Sequence, residues 1–215
     1  MEETNNILLI DKPRGISSFD VIRRLRRRLG VKKMGHAGTL DPLASGLMLI
    51  GVGEATKKLN DLIGLPKTYV ADVLVGERRS TGDREGEVIE SKTVEYLKEE
   101  DVQNALRSMV GVLRLPVPVY SAVKMGGKRL YKEARAGREV TPPLRDMEVY
   151  CAELEKIEVS AGRATLRILF DVASGVYIRS LAEELGRKLG YPATINDLRR
   201  TKVGEFNVED AERLE

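Results

Sequence analysis

The stretch RATLRILFDVA, residues 163–173, alternates so cleanly that it admits essentially one conformation. Ala164, Leu166, Ile168, Phe170 and Val172 fall on one side of an extended chain, and Thr165, Arg167 and Asp171 on the other. A slip of one residue would turn the whole apolar set outward, so the strand's own pattern specifies its register. The next segment, SGVYIRSLAEELGRKLGYP, changes period. Ile178, Leu181, Ala182, Leu185 and Leu189 share one face of a helix, which Gly190 stops with Pro192 just beyond.

The same two periods recur upstream. NILLID, residues 6–11, reads as a buried strand closed by the turn signal DKPRG, and SSFDVIRRLRRRLG as a helix capped by Ser17 or Ser18 and ended by Gly30. LMLIGVG and KTYVADVLVG read as strands, EATKKLNDLIG and EEDVQNALRSMVG as helices. ERRSTGDREGEVIESK is a polar excursion off the sheet. The Pro-, Gly- and Tyr-rich run from Val112 to Leu144 reads as a long loop with a short helix around RLYKEARAG. Strands and helices interleave irregularly, without repeats or a flexible linker. This predicts one α+β domain over residues 1–215, built on a mixed, mostly antiparallel sheet flanked by helices and loops.

Composition narrows the chemistry. The net charge is only +3, but residues 12–33 hold nine Lys or Arg against one Asp, and residues 124–138 are similarly basic. Such blocks suit a polyanion, or simply the solvated face of a helix. A single cysteine, Cys151, allows no internal disulfide, which fits a reducing cytosol. No run approaches about 18 apolar residues, and the acidic start lacks the basic region of a secretory signal. One His and one Cys leave no zinc site of the usual type, and no phosphate-loop or dinucleotide motif is present. His36 finds no serine in a G-x-S-x-G elbow to pair with. Carboxylate chemistry remains.

The segment GHAGTLDPLASG, residues 35–46, concentrates glycines, the lone His36 and an Asp-Pro pair. Asp41 before Pro42 is a favoured helix cap, and His36 between glycines an ordinary turn residue. The other reading is a reactive carboxylate on a loop that a bulky substrate can approach closely. Arg179, at the start of a helix, is either a surface ion pair or the cation that keeps such a carboxylate ionised.

GHAGTLDPLASGLMLIGVGEATK closely resembles the catalytic motif of the TruB family of tRNA pseudouridine synthases. The likeness continues in order through LLIDKPRGISSFD, KTYVADVLVG, PVYSAVKMGGKRLYKEARAG, GVYIRSLAEELG and LRRTKVGEF. The resemblance implies the pseudouridine synthase fold with a thumb insertion over residues 120–145, and conversion of the T-loop uridine (position 55) of tRNA to pseudouridine. It implies Asp41 as the catalytic carboxylate, Tyr69 stacked on the target base, and Arg179 paired with the aspartate. His36 would occupy the space left by the flipped uridine, Leu198 and Tyr177 would serve the base site, and Lys12 would support it from below. Lys124, Lys128, Arg129 and Lys132 would meet phosphates of the T-arm.

The same resemblance implies no metal or cofactor, no membrane, no obligatory protein partner and a monomer in the cytoplasm. Typical members continue into a C-terminal RNA-binding (PUA) domain. This chain stops at FNVEDAERLE, either because it is a trimmed piece or because it is a naturally short form, and recognition is then expected to rest on the T-arm. Two other readings stay open: a tRNA-folding chaperone with secondary catalysis, and a guide-RNA-dependent rRNA synthase. The thumb insertion, which guide-dependent relatives lack, favours the standalone type. Asp83, in STGDREG, reads as a turn aspartate or as a participant in the site.

Overall fold

The computed structural model describes residues 6–121, 123–138 and 140–214, without the side chains of Lys124, Met125, Arg129 and Arg135. The chain runs through β1 (Ile7–Lys12), α1 (Ser18–Leu29), β2 (Met34–His36), β3 (Ser45–Val52), α2 (Leu59–Ile63), β4 (Lys67–Val75), β5 (Glu77–Arg79) and β6 (Val88–Ser91). It continues with α3 (Glu99–Arg107), β7 (Gly111–Pro116), β8 (Lys124–Met125), β9 (Lys128–Arg129), α4 (Leu130–Arg135), β10 (Leu144–Ser160) and β11 (Arg163–Val172). Last come α5 (Ile178–Leu189), β12 (Ala193–Val203), β13 (Phe206–Asn207) and β14 (Glu212–Arg213).

The elements group into two compact units: Met1–Val70 with Phe170–Ser174 and Asp197–Glu215, and Ala71–Leu169 with Gly175–Asn196. Strands β4, β11 and β12 contribute residues to both.

In the first unit the strand order is β14-β1-β3-β12-β4, with β2 added to β3 and β13 to β12. β1 and β2 run antiparallel to β3, whereas β12 joins β3, and β14 joins β1, in parallel. Every residue of β3 is buried, which explains why SGLMLIGV is apolar without alternating. Its core gathers Ala37, Leu47, Leu49, Leu59, Val203 and Val208. Helix α1 begins where the sequence signals it. Ser17 and Asp20 form a reciprocal capping box, and Gly30 takes the left-handed conformation that ends the helix. Val21, Ile22 and Leu25 bury the apolar stripe, leaving the arginines outside.

In the second unit the order is β12-β4-β11-β10-β7, with the separate hairpins β5–β6 and β8–β9. β10 and β7 are antiparallel, and β11 buries alternate residues as its pattern requires. Helix α3 lies against β10 and α5, burying Val102 and Leu106 from its side and Leu181, Ala182 and Leu185 from α5. The fold is therefore α+β, with a mixed, mostly antiparallel sheet flanked by helices.

Four segments differ from the reading of the sequence. EATKKLNDLIG divides into a 3-10 turn, Gly53–Lys58, and the short α2. VLRLP is a strand because β10 supplies it with partners, and proline at its last position ends the pairing. KMGGKR is a two-residue hairpin between β8 and β9, with both central glycines at positive φ. ATINDLRRTKV, whose polar residues conceal its strand character, is the long β12.

Candidate active site

Asp41 lies in a turn between β2 and β3. Its carbonyl accepts from the Ala44 amide at 3.1 Å, and no helix follows, so Asp41-Pro42 opens a tight turn rather than a helix. The backbone around it is tied at four places. Ser18 Oγ donates to the Leu40 carbonyl at 2.9 Å and accepts from the Leu40 amide at 2.8 Å. Lys12 Nζ, fully buried, donates to the carbonyls of Pro13, Ile16 and Pro42, and the Gly15 amide also reaches Pro42 O. Arg200, 1 % exposed, donates through Nε to Leu47 O at 2.7 Å and through a guanidinium nitrogen to Gly38 O at 3.3 Å. The backbone of Arg200 also packs on the loop. Gly46 has φ +109°, and a Cβ there would stand 2.2 Å from the Arg200 carbonyl. Only glycine fits.

This division of labour depends on two adjacent serines: Ser17 caps α1, which leaves Ser18 for the loop. The polar ties are worth about 1 kcal/mol each as hydrogen bonds, but an untied carbonyl in this buried setting would cost more. Their combined effect is a carboxylate-bearing turn with little freedom to wander.

Around the loop, His36 closes β2 opposite Ile50. Burial, then the neighbouring Arg200 charge, lower its pKa, and a bond with the Gly38 backbone works the other way. The imidazole is thus neutral at neutral pH, with a flat face suited to stacking. Buried Lys67 donates to Ile63 O, Leu65 O and Ser174 Oγ. Burial and the Arg200 charge bring its pKa down to about 8. Tyr69 and Leu198 are buried on β4 and β12. Arg199, next to Arg200 but facing the other way, makes a bidentate pair with Asp11 at 2.8 and 3.1 Å. Asp41, His36, Lys12, Tyr69 and Leu198 all belong to the first unit.

Arg179, Tyr177 and the thumb belong to the second. Arg179 is buried at the first turn of α5. It donates to Thr81 O at 2.8 Å and Tyr120 O at 3.1 Å, and lies 3.8 Å from the Asp83 carboxylate. Asp83 is a turn aspartate with a cation beside it. It accepts from Thr81 Oγ1 and the Glu85 amide within its turn, and it faces Arg179. Glu183, one helical turn on, has its pKa raised by burial, with Arg78 and Arg179 pulling it back. Tyr177 occupies the N-cap position of α5. In the thumb, Lys128 and Lys132 are exposed, whereas the side chains of Lys124 and Arg129 lie outside the described residues.

Sequence reasoning missed Ser18, Lys67 and Arg200. The paired serines at the start of α1, Ser17 and Ser18, are the one available signal. Nothing in the neighbouring residues Arg199 and Arg200 says which of the two is buried. Among the described residues, no group of three or more His, Cys, Asp or Glu could hold a metal ion, and no helix is long and apolar enough to cross a membrane.

Comparison with known proteins gives this arrangement a class. A family model described as the N-terminal domain of TruB family pseudouridylate synthases matches residues 26–178. A second, described as the tRNA pseudouridylate synthase B C-terminal domain, matches residues 179–215. Fold and loop together are those of a pseudouridylate synthase. tRNA pseudouridine synthase B of Geobacillus thermodenitrificans is 40% identical over 214 residues, covering 98% of this chain and 71% of that protein. The Desulfotalea psychrophila protein of the same name is 43% identical, covering 98% of this chain and 88% of its own length. A solved Cbf5-Nop10-Gar1 complex contains a chain that matches with a TM-score of 0.73 at 27% identity, over 98% of this chain. This chain spans about half the length of that one (53%). The chain belongs to the TruB family.

Proposed function

We propose that this chain isomerises a uridine of tRNA, the T-loop uridine at position 55, to pseudouridine, with Asp41 as the attacking carboxylate. The observation that carries this reading is the loop. Asp41 stands in a turn whose backbone is held at residues 38, 40, 42 and 47 by the buried side chains of Arg200, Ser18 and Lys12. A group held this way meets its target without first having to be ordered. Relatives named tRNA pseudouridine synthase B support tRNA as the substrate.

In the reaction the uridine leaves the stack, at a cost of a few kcal/mol that the pocket offsets. Asp41 acts on the ribose as the C1′–N1 bond breaks. The freed base turns, C1′ bonds to C5, and the C5 proton departs, so substrate and product are isomers. An adduct at C1′ and a glycal formed by loss of the C2′ proton both begin with this carboxylate. Tyr69 stacks on the base and takes the C5 proton, and neutral His36 fills the space the base leaves. Leu198 and Tyr177 line the base site. Arg179 completes the set as the buried cation of the family pattern. Lys128 and Lys132, with Lys124 and Arg129, meet backbone phosphates. The purified chain acts alone.

The test is release of tritium from an unmodified tRNA transcript carrying C5-tritiated uridine. Wild-type protein alone is expected to release it, and a second measurement places the product at position 55. Asp41→Asn should reduce release to background while RNA affinity stays within about twofold, because the lost interaction belongs to the transition state. No release by wild-type protein, or continued release by Asp41→Asn, overturns the assignment.

A further inference from the structure

Helix α1 carries more positive charge than its fold needs, and it carries an aromatic ring on the same side. Phe19 is 57 % exposed, although Val21, Ile22 and Leu25 already supply the helix's buried stripe. The guanidinium carbons of Arg23 and Arg26 each lie 5.9 Å from the centre of its ring. Arg23, Arg24, Arg27 and Arg28 are exposed. Asp20 engages Arg23 and Glu212 engages Arg28, but Arg27 meets no carboxylate among the described residues, and its Nε leans back to the Arg23 carbonyl at 3.5 Å. Residues 19, 23 and 27 recur every four positions, so ring and guanidiniums form a row about 12 Å long on one face.

The row begins beside the reactive loop. Ser18, which binds both polar groups of the Leu40 backbone, immediately precedes Phe19, and Leu40 immediately precedes Asp41. A strand seated at Asp41 therefore meets the N-terminal end of α1 first. A flat apolar ring among guanidiniums is what unstacked bases and their phosphates require. A membrane surface is a poorer match, because the apolar stripe of this amphipathic helix is already consumed by the core.

We infer that the exposed face of α1 is a second RNA-contact surface, on which Phe19 stacks a substrate base and Arg23 and Arg27 meet the adjoining phosphates. The inference rests on the proposed RNA substrate and adds a set of contacts to those proposed for the thumb. Arg26 is the positioning member: it donates to Met34 O at 3.3 Å while standing over the ring.

Binding of an unmodified tRNA transcript, measured by filter retention from about 50 to 200 mM salt, tests it. The double variant Arg23→Ala/Arg27→Ala should lower the slope of log affinity against log salt by about 1 to 2, one for each lost phosphate contact. Phe19→Ala should weaken binding about tenfold at every salt concentration with the slope unchanged, and Phe19→Tyr should restore it. These side chains are exposed, so folding is not at stake, and circular dichroism checks it. Slopes and affinities equal to wild type overturn the inference. So does polyglutamate whose binding the same variants weaken as much as they weaken that of tRNA, since that marks a generally basic face. Tritium release by wild-type protein separates the two readings. Intact release with unaffected variants removes only this surface, while absent release with affected variants removes only the reaction.

Discussion

At the scale of single residues, the loop is governed by groups that titration and substitution can reach. Lys67 is the clearest. Its pKa of about 8 lies below the 10.5 of an unburied lysine, mainly through burial and then through Arg200. Between those two values the unfolded chain holds more protons than the folded one, so the stability this group contributes rises with pH across that window. Below it, the buried charge is a constant burden offset by three hydrogen bonds. Urea unfolding of wild type and Lys67→Met should therefore diverge from about pH 8 to 10.5, the wild type gaining relative to the variant. A flat or falling difference would show that the ammonium is not held in this pocket. His36 behaves in the same sense on the acid side. Its lowered pKa makes its contribution fall as pH drops below 6.5.

At the scale of elements, α1 and the reactive loop are coupled through Ser18. Removing its hydroxyl strips the Leu40 amide and carbonyl of their partner without touching the capping box, which uses Ser17 and Asp20. Ser18→Ala is expected to reduce the single-turnover rate of tritium release 10- to 100-fold, as small misplacements of a reacting group do. Stability should fall by only about 1–3 kcal/mol. RNA affinity should hold, so the loss appears in kcat rather than KM. An equal loss in Ser17→Ala, which weakens the cap alone, would mean that helix stability rather than loop position is responsible.

Elements also show where local reading succeeds. The capping box, Gly30 and Gly190 mark helix ends through backbone chemistry that neighbouring residues determine, and the structure places α1 and α5 accordingly. The hairpin at KMGGKR had a local signal as well, two glycines between short flanking segments, which the surrounding proline and lysine obscured. β7 had no such signal. Its residues Val112 and Arg114 are exposed, and only pairing with Glu148 and Asp146 of β10 makes the segment a strand.

At the scale of the whole molecule, the alternation of β11 is the most legible feature of the chain. All five of its inward residues are buried, and Phe170 is among the largest fully buried side chains. Phe170→Ala should cost about 3–5 kcal/mol, read as a lowered urea midpoint with little change in slope. A loss below about 1 kcal/mol would mean that neighbouring side chains collapse into the space. β12 is the opposite case. It neighbours β3 and β4 in the strand order, yet its sequence offers ATINDLRRTKV, and Arg200 sits where an apolar residue is expected. Strand reading fails there because a guanidinium satisfied by Leu47 O and Gly38 O is tolerated in a core that excludes an unpartnered charge.

Two determinations came from the sequence by itself. Periodicity and caps specify the main strands and helices, because those signals act over a few residues. The block GHAGTLDPLASG, with its resemblance to a family motif, singles out Asp41 and His36. Tertiary structure alone decided which of two adjacent arginines turns inward, which of two serines holds the loop, and that Asp83 faces Arg179. Those choices depend on carbonyls and carboxylates supplied from distant positions in the chain, and burial of a polar group is decided by its partners rather than by its type.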